Sequence, residues 1–378
     1  MTVQFIRIDH HDRNWSSFLP HIHRALRSEA DALSGSTAWI HIGWLKGPHA
    51  LIGIESTSAL TESQRHSLLA ALTRVANEHP SQFSVDEEEW QLLSRRYARE
   101  DLIEGPYTPL EPDNQVEWVD QARAGIYLSS EVTATVGKLV AVGLDDAIEM
   151  LSSPQEKVNE WALTGMAALA DAYQGGGIGR GYLSYLSHWK EFLFWQPSGE
   201  AIERRWSEAY DEQKSQLTGL VREIIRKDGT APSASGWRIW VDQALDRANA
   251  LARSGAIGLV PEESWLTRAS SIEPESVNRW AFGETRGYSD FHSEFRKLDT
   301  TRFHFGIEFA SYRFAESVQF RLLLLAGVDA AKRCALSYFL CRAVEDVLDL
   351  RWQETVAEGI RHQLRSDSTR NVPESPLR

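Results

Sequence analysis

The sequence predicts an α+β protein, in which a ferredoxin-like N-terminal portion of residues 1–125 joins a larger, mostly helical portion of residues 126–364. Two observations lead to this fold class. The beginning of the chain reads strand, helix, strand, strand, helix, the order found in a split βαβ unit. From Glu131 onward, apolar residues recur with the helical period. We expect one continuous globular unit, with residues 365–378 as a disordered tail.

The N-terminal portion is delimited by clear local signals. Its predicted elements are a strand at 3–8, a helix from Asn14 or Ser16 to about Leu33, strands at Ala38–Trp44 and His49–Glu55, and a helix from Thr61 to about Glu78. The two later strands are separated by a Lys-Gly-Pro turn, which indicates a hairpin. Residues 80–125 contain four prolines and are predicted to be irregular, with one or two short strands.

The second portion is predicted to be helical apart from two long loops. The helices lie near 132–150, 155–173, 182–194, 199–227, 235–253, 309–326 and 329–364. The polar segments Lys227–Ser235 and Thr267–Asp299 are predicted loops. The second contains several aromatic residues, including Tyr288 and Phe291. Long loops rich in aromatic residues often cover a site, so we expect a lid or a wall for a substrate.

Composition excludes several classes of protein. The chain has 378 residues and a net charge of −13, which argues against a general nucleic-acid binder. Its longest apolar stretch, Phe320–Val328, is too short to span a membrane, and the N-terminus lacks a secretory signal. Cys334 and Cys341 lie two helical turns apart, too far for an unstrained disulfide within one helix. We therefore expect reduced, buried cysteines and a cytoplasmic protein.

The segment from Gly175 to Trp195 is the strongest candidate for a substrate pocket. It reads GGGIGRGYLSYLSHWKEFLFW, so hydroxyls and one imidazole lie among bulky apolar residues, as they do in a pocket wall. The glycine run lacks the ending of a phosphate-binding loop and follows a helix, so it is interpreted as a turn between helices. For His188, a hydrogen-bonded structural histidine remains an equal alternative.

Three other features allow structural interpretations. Ser187 and His188 are neighbours on a predicted helix and point about 100° apart, so they cannot form a nucleophile–base pair with each other. Arg321 lies in an apolar helix, where it either faces a cavity or pairs with a carboxylate on a neighbouring helix. The run from Asp9 to Asp12, with two histidines between, is predicted to be a surface turn and not a metal site.

Four segments together resemble the thiopeptide-type bacteriocin biosynthesis family, whose members are similar to the C-terminal elimination domain of lantibiotic dehydratases. They are WIHIGWLKGPHALIGIE (Trp39–Glu55), GPYTPLEPDNQV (Gly105–Val116), GRGYLSYLSHWKEFL (Gly179–Leu193) and the helical Ser317–Leu348. They occur in the expected order and sample most of residues 37–350. The resemblance implies the fold of that elimination domain and one of two activities on a ribosomal precursor peptide.

The two activities differ in the chemistry that they need. Proteins that eliminate glutamate from modified serines carry an H-M-x-x-N-R-like motif, whereas this chain reads SVQFRL at Ser317–Leu322. Elimination needs a base and a cation for the departing carboxylate, so the missing motif favours the pyridine synthase. That enzyme joins two dehydroalanines in a formal [4+2] aza-cycloaddition, with no cofactor and no metal. The elimination subunit and a non-catalytic leader-binding scaffold remain as alternatives.

The resemblance also suggests site residues. Related cyclases use a Ser, a Tyr and a Gln, for which Ser187, Tyr210 and Gln243 are the candidates here, supported by the nearby Tyr182, Ser184 and His188. The predicted substrate-binding residues are Arg180, Trp189, Trp240, Tyr288, Phe291 and Arg321. The expected partner is a leader-bearing, dehydrated, azole-rich peptide, with the protein a monomer or homodimer. Dehydroalanine alkylates thiols, and the two buried cysteines are consistent with a thiol-free pocket.

Overall fold

A computed structural model describes the backbone of residues 2–12, 15–121, 123, 128–226, 232–258, 262–280, 286–298 and 306–370. The chain divides into two compact units. The sheet unit comprises Met1–Val158, Arg253–Arg286 and Ser317–Asp329; the helical unit comprises Asn159–Ala252, Gly287–Glu316 and Ala330–Arg378. The sheet unit thus contains helices that follow residue 125. The domain division predicted at that residue stays a prediction, since packing units need not coincide with folding domains.

The sheet unit is built on four antiparallel strands in the order β2-β3-β1-β4. The strands are β1 (Thr2–Asp9), β2 (Ser36–Gly43), β3 (His49–Ser56) and β4 (Val116–Val119). Helix α1 (Leu19–Ser28) connects β1 to β2, and α2 (Glu62–Glu78) and α3 (Glu87–Asp101) connect β3 to β4. This order is that of two interleaved βαβ units, so the ferredoxin-like prediction is confirmed.

Local sequence explains where these helices begin. Thr61 accepts a hydrogen bond from the Gln64 backbone, and Gln64 bonds back to the Thr61 backbone, which forms a capping box for α2. Asp86 caps α3 with a single hydrogen bond, which its side chain accepts from Glu89 N. The prediction of an irregular segment over residues 80–125 was therefore wrong for the 15 residues of α3.

Helix α4 (Ser130–Leu151) packs on the sheet because a glycine permits close approach. A Cβ atom added to Gly137 would lie 2.5 Å from the ring of Trp39, which is buried on β2. A second close contact in this unit joins Gly143 to Leu322, where an added Cβ would lie 2.6 Å away. Both contacts are too short for any larger residue without movement of the partner.

The run from Asp9 to Asp12 is buried, which corrects the predicted surface turn. Asn114 N donates to Asp9 O at 2.9 Å, and the His10 ring stacks on Phe18 with centroids 3.8 Å apart. His11 N donates to Asp113 Oδ1 at 2.8 Å. Although the side chains of this run are polar, the segment that contains Asp113 and Asn114 contacts the run and buries it.

The helices that follow α4 agree with most of the predicted bounds. They are α5 (Gln155–Asp171), α6 (Ile178–Phe194), α7 (Gly199–Arg226), α8 (Pro232–Ser254), α9 (Glu262–Ile272), α10 (Pro274–Trp280), α11 (Asp290–Phe295), α12 (Ile307–Leu325), α13 (Ala330–Leu348) and α14 (Trp352–Arg370). Three short helices thus lie within or across the predicted loop Thr267–Asp299. Its residues 281–285 and 299 lie outside the described residues, as do 227–231 of the other predicted loop.

The predicted helix 329–364 is two helices. Asp349 adopts a left-handed backbone with φ of +50°, and Leu350 N donates to Glu345 O. The Glu345 carboxylate accepts from Trp352 N at 3.0 Å, which satisfies the start of α14. That helix continues through Arg370, so residues 365–370 of the predicted tail are helical, while 371–378 lie outside the described residues.

Both cysteines lie on α13 and are buried and reduced, as predicted. In the part of the chain that the structure describes, no helix is both long enough and apolar enough to cross a bilayer.

Candidate functional site

Helix α6 presents two different faces, and the helical period divides the polar residues of the candidate segment between them. Tyr182 and Tyr185 belong to the buried face, and both are fully enclosed. Ser184, Ser187 and His188 lie on the other face and are half-buried. The second set is spaced as residues on one side of a helix are. The segment is therefore not sealed in the core, and its hydroxyl-bearing side is partly open.

The buried face is held by a close helix contact. A Cβ atom added to Gly181 would lie 2.2 Å from the carbonyl oxygen of Ala170 on α5, so only glycine fits. Tyr312 on α12 donates its hydroxyl to Gly181 O at 2.8 Å. Burial raises the pKa of Tyr182 and of Tyr185 well above the ordinary value, so both phenols stay neutral.

The first polar cluster joins α6 to the middle of α12 and is called the Glu316 cluster. Ser184 Oγ donates to Glu316 Oε2 at 2.8 Å, and Arg313 Nη1 lies 2.7 Å from the same oxygen. Arg313 Nη1 also donates to Ser184 Oγ at 2.8 Å. His188 Nε2 lies 3.3 Å from Glu316 Oε2 and 3.1 Å from Arg313 Nη1. One carboxylate thus orients a hydroxyl, an imidazole and a guanidinium.

The charges in this cluster follow from burial and pairing. Burial alone would raise the pKa of Glu316, but the Arg313 charge and the bonds from His188 and Ser184 outweigh it, so the pKa is lowered. Burial lowers the pKa of His188, against the opposing effect of Glu316. At neutral pH the carboxylate is therefore ionised and the imidazole is neutral.

The second polar cluster, called the His292 cluster, lies where α11 meets α6. Ser187 Oγ lies 2.9 Å from His292 Nε2. On the other side of the ring, Ser289 Oγ lies 2.7 Å from Nδ1, and Glu191 Oε2 lies 3.6 Å from the same nitrogen. Ser289 is also the N-cap of α11 and accepts from His292 N. The ring is therefore held between a hydroxyl on α6 and the residues that start its own helix.

A cavity of about 350 Å³ lies at the beginning of α6. Its wall includes Gly176 and Gly179, and it is edged by Arg180 and Arg361 and by acidic residues of α14. Gly176 and Gly177 have φ angles of +144° and +59°, so the glycine run is the predicted turn between helices. Arg180 is exposed and precedes Ser184 by one helical turn on the same face.

Other predicted residues have structural contacts away from these clusters. Tyr210 is fully buried on α7, and its hydroxyl donates to Asp346 Oδ2 on α13 at 2.8 Å. Gln243 is half-buried on α8, and the described residues give it no hydrogen bond or ion pair to either cluster. Trp189 and Trp240 are 3% and 2% exposed, so neither is accessible to a peptide in this structure. They pack edge to face against Tyr338 and Trp237, respectively.

Two substrate-binding predictions in the aromatic segment have different outcomes. Phe291 is 1% exposed and packs between Phe295 and Trp352, so it stabilises the core and forms no open wall. Tyr288 is half-buried, and the guanidinium of Arg296 lies 4.0 Å above its ring. Only Tyr288 of this pair is placed to touch a ligand.

Arg321 lies in the sheet unit, in the part of α12 that follows Ser317. Burial lowers its pKa, while the Asp101 carboxylate acts in the opposite direction. The choice between a cavity-facing arginine and one paired with a carboxylate therefore stays a prediction. The residues around Ser187 all belong to the helical unit.

Sequence reasoning missed His292, Arg313 and Glu316. His292 is 105 residues from Ser187, and it lies in a helix of six residues with too short a pattern to be detected. Arg313 and Glu316 are one turn apart on α12, and this spacing of opposite charges was the available signal. Among the residues described here, no group of three or more His, Cys, Asp or Glu side chains is placed to hold a metal ion.

Comparison with known proteins gives a result at the level of the fold. No protein-family model and no curated protein matches the chain. The solved structure "Pyridine synthase, TbtD, from thiomuracin biosynthesis" is similar with a TM-score of 0.63 and 17% identity, over 92% of this chain and 99% of that one. TsrL is similar with a TM-score of 0.60 and 15% identity, over 94% and 97%.

A third solved structure is the tRNA-dependent lantibiotic dehydratase MibB from Microbispora sp. 107891, with a TM-score of 0.40, 12% identity, and coverage of 92% of this chain and 28% of that one. The two whole-length similarities confirm, for the fold, the thiopeptide-family resemblance that the sequence predicted.

Proposed function

We propose that this protein is a macrocyclising enzyme of thiopeptide biosynthesis. Its reaction is a formal [4+2] aza-cycloaddition between two dehydroalanines of one leader-bearing precursor peptide. Loss of water and of the leader peptide then gives a six-membered nitrogen heterocycle. The observation that carries the proposal is the whole-length similarity to a structure described as a pyridine synthase, combined with hydroxyls and a neutral imidazole on one half-open helix face.

The proposed chemistry begins with a proton shift on an amide. A proton leaves the amide nitrogen and another arrives at the amide oxygen, so the amide becomes an iminol and a 2-aza-diene forms. The diene closes onto the second alkene with two new C–C bonds, one at each carbon end of the 2-aza-diene, and the nitrogen keeps the two bonds to carbon that it already has. Elimination of water and of the leader then gives the aromatic ring. Every step is redox-neutral, so positioning and proton transfer are the enzyme's tasks.

The two clusters supply groups of suitable kind for these tasks. Ser184 and Ser187 can each donate and accept a hydrogen bond, as a shifting amide proton requires. Neutral His188 lies beside them on the same face of α6. Holding two alkenes of one peptide in register can lower the barrier by roughly 7–11 kcal/mol at best. We assign the contact with the reacting amide to Ser187, with Ser184 and His188 beside it.

In the described residues of the Glu316 cluster, the cation that the elimination alternative would use is already paired with a carboxylate. Elimination of glutamate needs a cation for the departing carboxylate. Arg313 is the cation of the Glu316 cluster, but its Nη1 already lies 2.7 Å from a buried carboxylate of this chain. A guanidinium neutralised in this way attracts a second carboxylate only weakly. This arrangement favours cyclisation, in agreement with the absent motif at Ser317–Leu322.

Mass spectrometry of two peptide substrates tests the proposal. A peptide with preformed dehydroalanines is expected to give a cyclised product and a released leader, whereas the same peptide with glutamylated serines is expected to stay unchanged. Conversion of the glutamylated peptide alone would show the elimination activity instead. Leader binding without product from either peptide would show a scaffold. Either of these two results would refute the cyclase.

A further inference from the structure

The strongest unassigned feature of the helical unit is the His292 cluster. His292 contacts a hydroxyl with each ring nitrogen: Ser187 at Nε2, 2.9 Å away, and Ser289 at Nδ1, 2.7 Å away. The ring is 17% exposed, and Glu191 beside it is 24% exposed, so the cluster lies at the border of the interior. A histidine that only filled space would not need three oriented polar neighbours.

The neighbours of Nδ1 determine which nitrogen carries the proton. Glu191 Oε2 lies 3.6 Å from Nδ1, so its negative charge favours a proton on that nitrogen. Ser289 Oγ can accept from both His292 N and Nδ1–H, because a hydroxyl has two acceptor positions. Nε2 is then unprotonated and accepts the hydroxyl proton of Ser187. Nε2 is therefore placed as a general base for the Ser187 hydroxyl, and Ser289 and Glu191 orient that base from the other side of the ring.

We infer that His292 is the base that withdraws and returns the Ser187 proton during cyclisation, with Ser289 and Glu191 as positioning residues that keep its Nε2 unprotonated. The inference rests on the proposed function and deepens it. Ser187 takes the proton from the substrate amide nitrogen while its own proton passes to Nε2. The imidazolium then returns a proton through Ser187 to the amide oxygen. One N–H bond breaks and one O–H bond forms in the substrate, and the enzyme ends unchanged.

The elements that carry or contact the ring bear charges of both signs. They are Lys190 and Glu191 on α6, Asp290, Glu294, Arg296 and Lys297 in or directly after α11, and Arg351, Glu354, Glu358 and Arg361 in or directly before the packed α14. Lys190 is paired with Asp290 at 3.0 Å and lies 3.9 Å from Glu203. Of the other charges, Arg296 lies over the Tyr288 ring and Lys297 pairs with Glu294, whereas the Glu191 carboxylate lies 3.6 Å from Nδ1. An imidazolium formed in the reaction is therefore stabilised by the Glu191 charge.

Steady-state kinetics of three variants test the inference. His292→Gln keeps an amide that can bond to Ser187 but cannot take a proton. We expect kcat to fall at least tenfold, with KM within threefold, and the acidic limb of the pH–kcat profile to disappear. Glu191→Gln should move that limb to lower pH, because a carboxylate no longer favours the imidazolium. Ser293→Ala, an exposed neighbour on α11, is the matched control and should behave as wild type.

Nitrogen NMR of the histidine ring gives a readout that does not depend on turnover. At pH 8 we expect a protonated Nδ1 and an unprotonated Nε2 in the wild type. A proton on Nε2, or an unchanged acidic limb in His292→Gln, would overturn the inference while wild-type cyclisation continued. Absence of any wild-type product would instead refute the proposed function, and this inference with it.

Discussion

Arg313 Nη1 lies 2.7 Å from Glu316 Oε2, one turn further along α12, and the same nitrogen lies 2.8 Å from Ser184 Oγ on α6. Glu316 is 1% exposed, so its charge must be compensated within the protein. Arg313 supplies that compensation from a position that is 39% exposed. The ion pair therefore joins a buried carboxylate to a guanidinium at the half-open face of α6, where the proposed reaction takes place.

Glu316→Gln should lower both stability and turnover. The substitution removes the acceptor that orients Ser184 and His188 and leaves Arg313 without its buried partner. We expect a loss of about 1–3 kcal/mol in the free energy of unfolding, measured by denaturant titration, and at least tenfold slower cyclisation. Glu308→Gln is the control, because Glu308 is exposed on the same helix. Equal behaviour of the two variants would contradict the assigned role of Glu316.

Ser187→Ala and Tyr210→Phe should separate a reacting hydroxyl from a structural one. Ser187→Ala should reduce cyclisation at least tenfold while leader binding stays intact, because the lost hydroxyl contacts His292 Nε2 and the reacting peptide amide and not the leader. Tyr210→Phe loses the bond to Asp346 and should cost about 1 kcal/mol of stability, with turnover of the folded enzyme unchanged. Calorimetric leader binding and product formation are measured for both. A tenfold turnover loss in Tyr210→Phe alone would restore Tyr210 as the catalytic candidate.

The fold could be predicted from the sequence more completely than the site could, because the signals that specify the fold are local. Alternating apolar residues and a capping sequence at Thr61 were sufficient for the ferredoxin-like order. The missed helix α3 has only Trp90, Ser94 and Ala98 on its buried side, so its apolar period is weak. The charges of α3 and the four prolines elsewhere in residues 80–125 dominated the interpretation of that segment as irregular.

The site needed contacts that no local pattern contains. Ser187 lies on a half-open helix face and its catalytic role stays a prediction, while its partner His292 lies on a six-residue helix that no sequence pattern indicated. Trp189 and Phe291 illustrate the opposite error. Aromatic residues near a polar segment suggested a ligand wall, whereas packing against Tyr338 and Trp352 encloses them. Side-chain type is visible in a sequence, but the direction in which it points depends on tertiary packing.

Phe291→Ala and Tyr288→Ala should have opposite effects on stability and function. Removing the enclosed Phe291 ring should cost about 3–5 kcal/mol, because it leaves a cavity beside Trp352. Tyr288→Ala should cost much less, since that ring is half-buried. If Tyr288 contacts the core peptide, its variant turns over more slowly while leader affinity stays within a few-fold. Thermal unfolding and peptide kinetics check the pair, and a turnover equal to wild type in Tyr288→Ala would remove this residue from the binding surface.

Arg180→Ala should weaken peptide binding without slowing the chemical step. Arg180 edges the cavity at the beginning of α6 and lies one turn from Ser184. A residue that binds substrate and transition state equally affects KM and not kcat, so we expect KM to rise three- to tenfold. Arg205→Ala, an exposed arginine on α7, is the matched control. A fall in kcat with unchanged KM would assign Arg180 to the reaction itself.

His49 should make the stability of the protein depend on pH. The side chain is 2% exposed, its Nδ1 lies 2.9 Å from Gly47 O, and its ring fills the space above Gly43. Burial, followed by the nearby Arg7 charge, lowers the pKa of His49 well below 6.5. Below about pH 6.5 the unfolded chain therefore takes up a proton that the folded protein does not, and stability decreases as the pH falls.

His49→Gln should remove this part of the dependence. One proton corresponds to about 1.4 kcal/mol per pH unit, so the slope of unfolding free energy against pH between 6.5 and 5 should become shallower by up to that amount. Burial raises the pKa of Asp9 to about 6 and gives an opposite slope in part of this range. Because Asp9 is present in both proteins, the difference between them isolates the imidazole. Denaturant titrations at pH 5.0, 5.75, 6.5 and 7.5 measure it. Parallel curves would mean that His49 takes up a proton in the folded protein as readily as in the unfolded chain.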